Sequence, residues 1–505
     1  MANYLRIRIA NDPTTLDPRK SSDFISATLV CLLYEGLTRY LPDGGVEMGV
    51  ANSVEISENG KKYVFHLRKT YWSDGFPVTA YDFEKTWKQV LDPNQPSVCS
   101  YLFYHILHAE KVICGEKNLE EVGIRAIDES TLEILLERPT PYFLSLTAFP
   151  NFLPIPQHRT GPIDHSSNEW ISNGPFVLDR MTSHSILSLR KNQSFWRADT
   201  TRLEGIAFFI IPNDMTALEM FERKELDWLG GYICPIPSEA LPFLQERLRY
   251  FPMTASTFCT FNTQCVPFSN KNIRKAFNFA TNREEIAKEI NPVQQIFAGR
   301  YIPPALCDGK NKVLFPPFDP RKAKEHLEKG LLELGKKNLS VTIRYRNGMS
   351  DEKLVQILKE MWETSLGVKV NLLQSDQKTH KESLHKRTYE IAIASWIAQY
   401  PDRLNILERF KSKSNAKNYC AWENQEFVHL LELSQETEDM HKRIELLETA
   451  EEILAEETPI VPLYHWSQPS LTNPRLRNVH ATPSGGILFE RCWLMDELDL
   501  SNNTR

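Results

Sequence analysis

Ser350 and Lys353 stand three residues apart, the S-x-x-K spacing of the β-lactamase nucleophile. The companion motifs of that chemistry are absent, and Ser350 stands where a helix cap is expected. No catalytic role is assigned to it. His105, His108 and Glu110 could gather a metal at helical spacing. The simpler reading is an exposed or hydrogen-bonded pair of histidines, and neither metal nor cofactor is expected. His380 and His385 lie among lysines and read as a solvated face. P-loop, HExxH, GxSxG and GxGxxG patterns do not occur. Three aromatic clusters carry more information: Tyr101 to Tyr104, Trp396-Ile397-Ala398-Gln399-Tyr400, and Tyr464-His465-Trp466. Each alone would be read as core. Aromatic rings with polar tips are also what lines a cleft that needs a few directed hydrogen bonds.

Elements must position those clusters. The chain has 505 residues, enough for two to four domains. Its 59 Lys+Arg against 65 Asp+Glu leave a net charge of −6, which argues against a dedicated nucleic-acid binder. No apolar run is long enough to cross a membrane. The nine cysteines show no metal-site spacing, are too sparse for a disulfide framework, and read mostly as buried apolar fillers.

Local signals place helices and strands. Gly60 marks a turn before Tyr63, Phe65 and Leu67, which alternate as a half-buried strand does. Ser73-Asp74-Gly75 is a second turn, and Thr79 caps a helix with Asp82 at its third position. A helix is predicted over 215–226, with Leu218, Phe221, Glu222 and Leu226 roughly on one face. Asp319-Pro320 opens another, predicted to stop at Gly330. Alternation at 340–345 predicts a strand, Ser350 is predicted to cap a helix ending at Gly367, and 368–373 alternates again. Strand, helix and strand in that order imply a parallel pair. Residues 440–456 form another amphipathic helix, followed by a strand at Ile460-Val461.

The stretch Val50–Phe83 (VANSVEISENGKKYVFHLRKTYWSDGFPVTAYDF) resembles the signature of the extracytoplasmic solute-binding proteins that serve peptide and nickel ABC transporters. Further blocks follow in that family's order. They are Pro13 to Pro18 with Tyr34 to Leu37, Gly123 to Phe143, Asn173 to Phe176, Pro267 to Ile286, and Pro459 to Tyr464. Within that family the resemblance is closest to the oligopeptide-binding proteins. It implies an α/β fold of the periplasmic-binding-protein-like type II kind, with two lobes, a two-strand hinge and an inserted third domain. By that analogy lobe I is 1–40, 157–255 and 470–505. The strand-rich insert is 41–156, and lobe II is 256–469. The hinge strands would fall near Thr254 to Thr257 and Tyr464 to Ser467, and ligand would be engulfed by lobe closure.

The resemblance also implies a function: the substrate-binding component of an ABC importer, carrying oligopeptides to membrane permease subunits, a monomer and not an enzyme. Family members are exported, so an extracytoplasmic location is implied, with a signal segment not present in this chain and a lipoprotein anchor as one form. Ser22-Asp23-Phe24 matches the family's loop along the peptide, and Tyr104 a ligand-lining tyrosine. Trp396, Ile397, Ala398, Gln399 and Tyr400 match the segment that holds the peptide N-terminus. Tyr464 and Trp466 complete the implied ligand-binding set. The family's ammonium-binding aspartate is here Gln399. Ile397 and Ala255 stand where some members place paired cysteines, and Gln377 replaces a pocket tryptophan. Asp23 or Asp402 could restore the missing charge, or the ligand could lack a free ammonium, as a modified or cell-wall-derived peptide would. Other readings on the same fold are a nickel chelate or a haem-like ligand, with His465 the leading candidate to face the cleft. The competing class is a hydrolase using that cleft, which the absent nucleophile–base motifs oppose.

Overall fold

The computed structural model describes residues 3–95, 97–159, 170–290, 296–307, 312–437, 439–482 and 484–495. The chain forms two compact units, one of 1–251 with 468–505, the other of 252–467. It passes between them inside two long strands, Arg249–Phe261 and Ile460–Thr472.

The first unit pairs Tyr4–Ile9 in parallel with Gly205–Ile210, which continues antiparallel to Ile186–Lys191 and Phe176–Thr182. On its other side Trp228–Gly230 pairs with Ser470 to Thr472. Asp227 clasps these strands: it accepts from the Arg6 main chain at 2.9 Å, Arg6 Nε at 3.0 Å and Asn473 Nδ2 at 2.9 Å. A second sheet has the order Ala51–Ser57, Lys62–Leu67, Thr131–Leu135, Ile124–Asp128. The predicted turn before Lys62 is present, with Glu58, Asn59 and Gly60 all at positive φ. Tyr63 and Phe65 are buried, as their alternation requires. Helix Ala80–Val90 packs on this sheet and begins with the expected Thr79/Asp82 capping box. Asn173, in the matched turn, exchanges two 3.0 Å hydrogen bonds with the Glu35 main chain.

The second unit orders its strands Lys369–Ser375, Ser340–Arg346, Ile391–Ile397, Arg249–Phe261, Ile460–Thr472. The first two are parallel and joined through helix Met349–Leu366, the predicted α/β unit. Helices Lys271–Phe279, Pro320–Leu334 and Met349–Leu366 close an apolar core, in which Phe277 meets the Trp362 ring edge-on at 4.9 Å.

Several helix ends differ from expectation. Helix Met349–Leu366 starts after Gly348 at φ 152°, so Ser350 lies inside the first turn and caps nothing. Gly348 takes that extended left-hand conformation where a side chain would resist it. Helix Pro320–Leu334 runs through Gly330 and ends at left-handed Gly335. Gly330 is there for space: a Cβ would come within 2.6 Å of Ile273 Cδ1 on the neighbouring helix. The helix predicted over 215–226 is Asp214–Glu222, capped by Asn213 and stopped where Lys224 turns left-handed at φ 63°.

Candidate functional site

In the second unit, strand Ile391–Ile397 is antiparallel to Arg249–Phe261, and this register sets Trp396 opposite Ser256, Ser395 opposite Thr257 and Ile397 opposite Ala255. The two positions that the resemblance matched to paired cysteines are thus cross-strand partners. Thr257 organises the polar part of the face. Its hydroxyl accepts from Trp466 Nε1 at 2.8 Å and lies 2.9 Å from the Ser395 hydroxyl. Burial pushes the Tyr464 phenol pKa up, and the Thr257 and Ser350 side chains oppose that. Trp396, Ile397, Gln399, Tyr464 and Trp466 are half-buried, whereas Ala398 and Tyr400 are buried. A partly exposed aromatic set with few hydroxyls is a surface able to bind.

The segment after Trp396 is fastened from below. Ala398 donates to the Thr254 carbonyl at 2.8 Å. Buried Asn405 accepts from the Gln399 main chain at 3.1 Å and from Trp396 Nε1 at 3.4 Å. Tyr400 donates to Glu408 at 3.0 Å. The Arg409 guanidinium lies 4.6 Å from the Trp396 ring centre and 4.6 Å from that of Tyr419. Lys417 Nζ is 5.7 Å from the same tryptophan ring. Burial pushes the Lys417 pKa down; Glu408 opposes that, and Arg409 adds to it.

The first unit carries the other expected residues. Ser22 is exposed, and Asp23 caps helix Phe24–Leu33. The Asp23 carboxylate accepts from the Ser26 main chain at 2.9 Å and from Thr14 Oγ1 at 2.5 Å. Burial works to raise its pKa, but these hydrogen bonds outweigh it and hold the group below the usual range. Phe24 is exposed and stacks on Tyr232 with ring centres 4.2 Å apart. Tyr104 is half-buried at the end of the short turn Ser100–Phe103.

Some expectations fail on geometry. Asp402 is no spare charge for a ligand: both its oxygens are taken by Arg443 at 2.8 Å, and it caps helix Arg403–Leu407. Asp23 differs: the groups that it accepts from in its cap are neutral, so it keeps its negative charge. His465 is buried, with Nδ1 2.7 Å from the Ser256 hydroxyl, and burial reinforced by Arg300 drives its pKa down to about 3. It does not serve as an exposed metal or haem ligand. His380 is buried rather than solvated, its Nε2 2.9 Å from the Ile393 carbonyl, because its helix turns that face onto the sheet. His385 is half-buried, 3.1 Å from the Ala416 carbonyl. His105 is packed edge-on to Tyr142, and burial, then Arg138, lowers its pKa to about 4. No group of three metal-ligating side chains occurs among the described residues.

Sequence reasoning missed Thr257, Asn405, Arg409, Tyr419 and Tyr232. Each is an ordinary residue in its own neighbourhood. Only the sheet register and the folding-back of 402–419 give the first four a common target, so no local signal marked them.

Comparison with known proteins supplies the rest. The model of the family "Bacterial extracellular solute-binding proteins, family 5 Middle" matches residues 45–418. The chain is 35% identical over 502 residues to oligopeptide-binding protein OppA of Bacillus subtilis (strain 168), covering 97% of this chain and 92% of that protein. It is 30% identical over 501 residues to dipeptide-binding protein DppE of the same organism, covering 96% and 90%. The unliganded open form of the periplasmic murein tripeptide binding protein MppA superposes with a TM-score of 0.85 at 23% identity, covering 98% of each chain. The fold is therefore the expected α/β arrangement of type II periplasmic binding proteins.

Proposed function

We infer, from a chain that belongs to the bacterial extracellular solute-binding proteins of family 5, that this protein is the substrate-binding component of an ABC importer and that its cargo is an oligopeptide. The observation that carries this reading is 35% identity over 97% of the chain with a protein named for oligopeptide binding. The ligand-contacting residues are Trp396 to Tyr400, Tyr464 and Trp466 in the second unit, and Ser22, Asp23, Phe24 and Tyr104 in the first. Hydroxyls at Thr257 and Ser395 beside half-buried tryptophans support that assignment, since few directed hydrogen bonds and broad apolar contact suit cargo of varied sequence.

The protein works by binding and release, making and breaking no covalent bond. It acts as a monomer outside the cytoplasm, free or lipid-anchored, and hands its cargo to permease subunits. No described helix is long and apolar enough to cross a membrane. The test is native mass spectrometry after incubation with a random tetrapeptide pool. One-to-one complexes carrying intact peptides are expected. An unliganded spectrum at saturating pool concentration would sink the oligopeptide reading, and shortened peptides would sink the non-catalytic one.

A further inference from the structure

The charges around the Trp396 segment can be matched pair by pair. Asp402 is taken by Arg443, and Glu448 by Arg403 at 2.8 Å. Glu408 accepts from Tyr400 and is the acid acting on Lys417. Among the described residues Arg409 is left over. It is buried, and its donors go to the Lys417 carbonyl at 2.6 and 3.0 Å and to the Tyr301 phenol at 3.2 Å. Phe258 at 5.2 Å and Phe410 at 5.3 Å complete a cage with Trp396 and Tyr419. Rings, a carbonyl and a phenol stabilise a cation without cancelling it. Behind the same loop Arg387 is also held by carbonyls, those of Lys413, Asn415 and Asn418. The half-buried Trp396 face therefore stands over uncompensated positive charge, poorly screened because it is buried. Gln399 adds no negative charge to it.

We propose that the Trp396–Gln399 surface is a charge-selecting subsite that takes a neutral or anionic end of the ligand, an acylated amine or a carboxylate, and disfavours a free ammonium. Arg409 is its positioning residue, acting through the Trp396 ring, and Lys417, with Glu408 as its acid, lies at the rim. This inference rests on the peptide-binding reading above. It fixes which chemical forms of peptide the protein prefers.

The test offers the protein an equimolar mixture of one random tetrapeptide pool in three forms, with free, acetylated and succinylated amino termini. Native mass spectrometry reads the bound fractions. The blocked forms should exceed the free form by about tenfold, the scale of one charge-assisted contact. Lys417→Glu, a rim change, should move the ratio toward the free form, and Gln399→Asp should do the same. Misfolding would lower all three forms together; only a changed ratio reads the charge. Preference of the wild-type protein for the free form, or a ratio unmoved in both variants, overturns the proposal while leaving peptide binding intact. Failure of every form to bind overturns both.

Discussion

Two buried arginines in the second unit are handled in opposite ways. Arg300 meets a full counter-charge: its Nε donates to Glu451 at 3.1 Å, and Glu451 also accepts from the Tyr301 and Ile302 main chains at 2.8 Å. Arg409 meets four aromatic rings, a carbonyl and a phenol, but no carboxylate among the described residues. The first arrangement neutralises itself and fastens the chain at 300–302 to helix Met440–Glu457. The second keeps its charge and presents it beneath a partly exposed ring. Burial alone does not tell a structural cation from one that conditions a surface; the counter-charge does.

Breaking the neutral pair should have the largest effect. Glu451→Gln leaves Arg300 buried without its partner, at a cost of about 3–5 kcal/mol by urea denaturation. Removing the caged cation should cost less. Arg409→Met keeps bulk among the rings and leaves the Lys417 carbonyl and the Tyr301 phenol oxygen without the donor they accept from, for a loss of about 1–3 kcal/mol. Equal losses in the two variants would mean that Arg409 has a counter-charge after all. A third effect appears only in acid. His465 lies near Arg300 and titrates at about 3 in the folded chain. Below the ordinary value near 6.5 the unfolded chain takes up a proton that the folded chain refuses. Stability should thus fall from about pH 6.5 down to about pH 3, by ~1.4 kcal/mol per pH unit for this one group. His465→Gln should flatten the decline between pH 7 and 5 by that amount, leaving the share of His105. An unchanged slope would assign the acid loss elsewhere.

What the sequence made legible was local. The Thr79/Asp82 box, the Asp319 cap and the Gly367 stop each depend on residues within a turn of one another, and each is present. Ser350 misled because a glycine two residues earlier supplied the start without any side chain. Gly330 misled because its reason is packing against Ile273, not termination. At the candidate site the family resemblance pointed to Trp396 and Gln399, and the strand register accounts for their setting. It could not reveal the partners of Asp402 and Arg409. Arg443 is forty-one positions from Asp402, and the cage draws on Phe258, Trp396 and Tyr419 together. Such pairings exist only after the chain has folded back.

The way the chain threads its two units also bears on the order in which they can form. The unit of 252–467 is one continuous stretch, while the other needs both 1–251 and 468–505. The partners of Trp228 and Asp227, at Thr472 and Asn473, are separated from them by that entire stretch. During synthesis, the early part of the chain has to wait for the late part, because a contact cannot form before both sides have emerged. The later unit is thus the one able to fold without waiting, and it carries Trp396, Gln399 and the caged arginine.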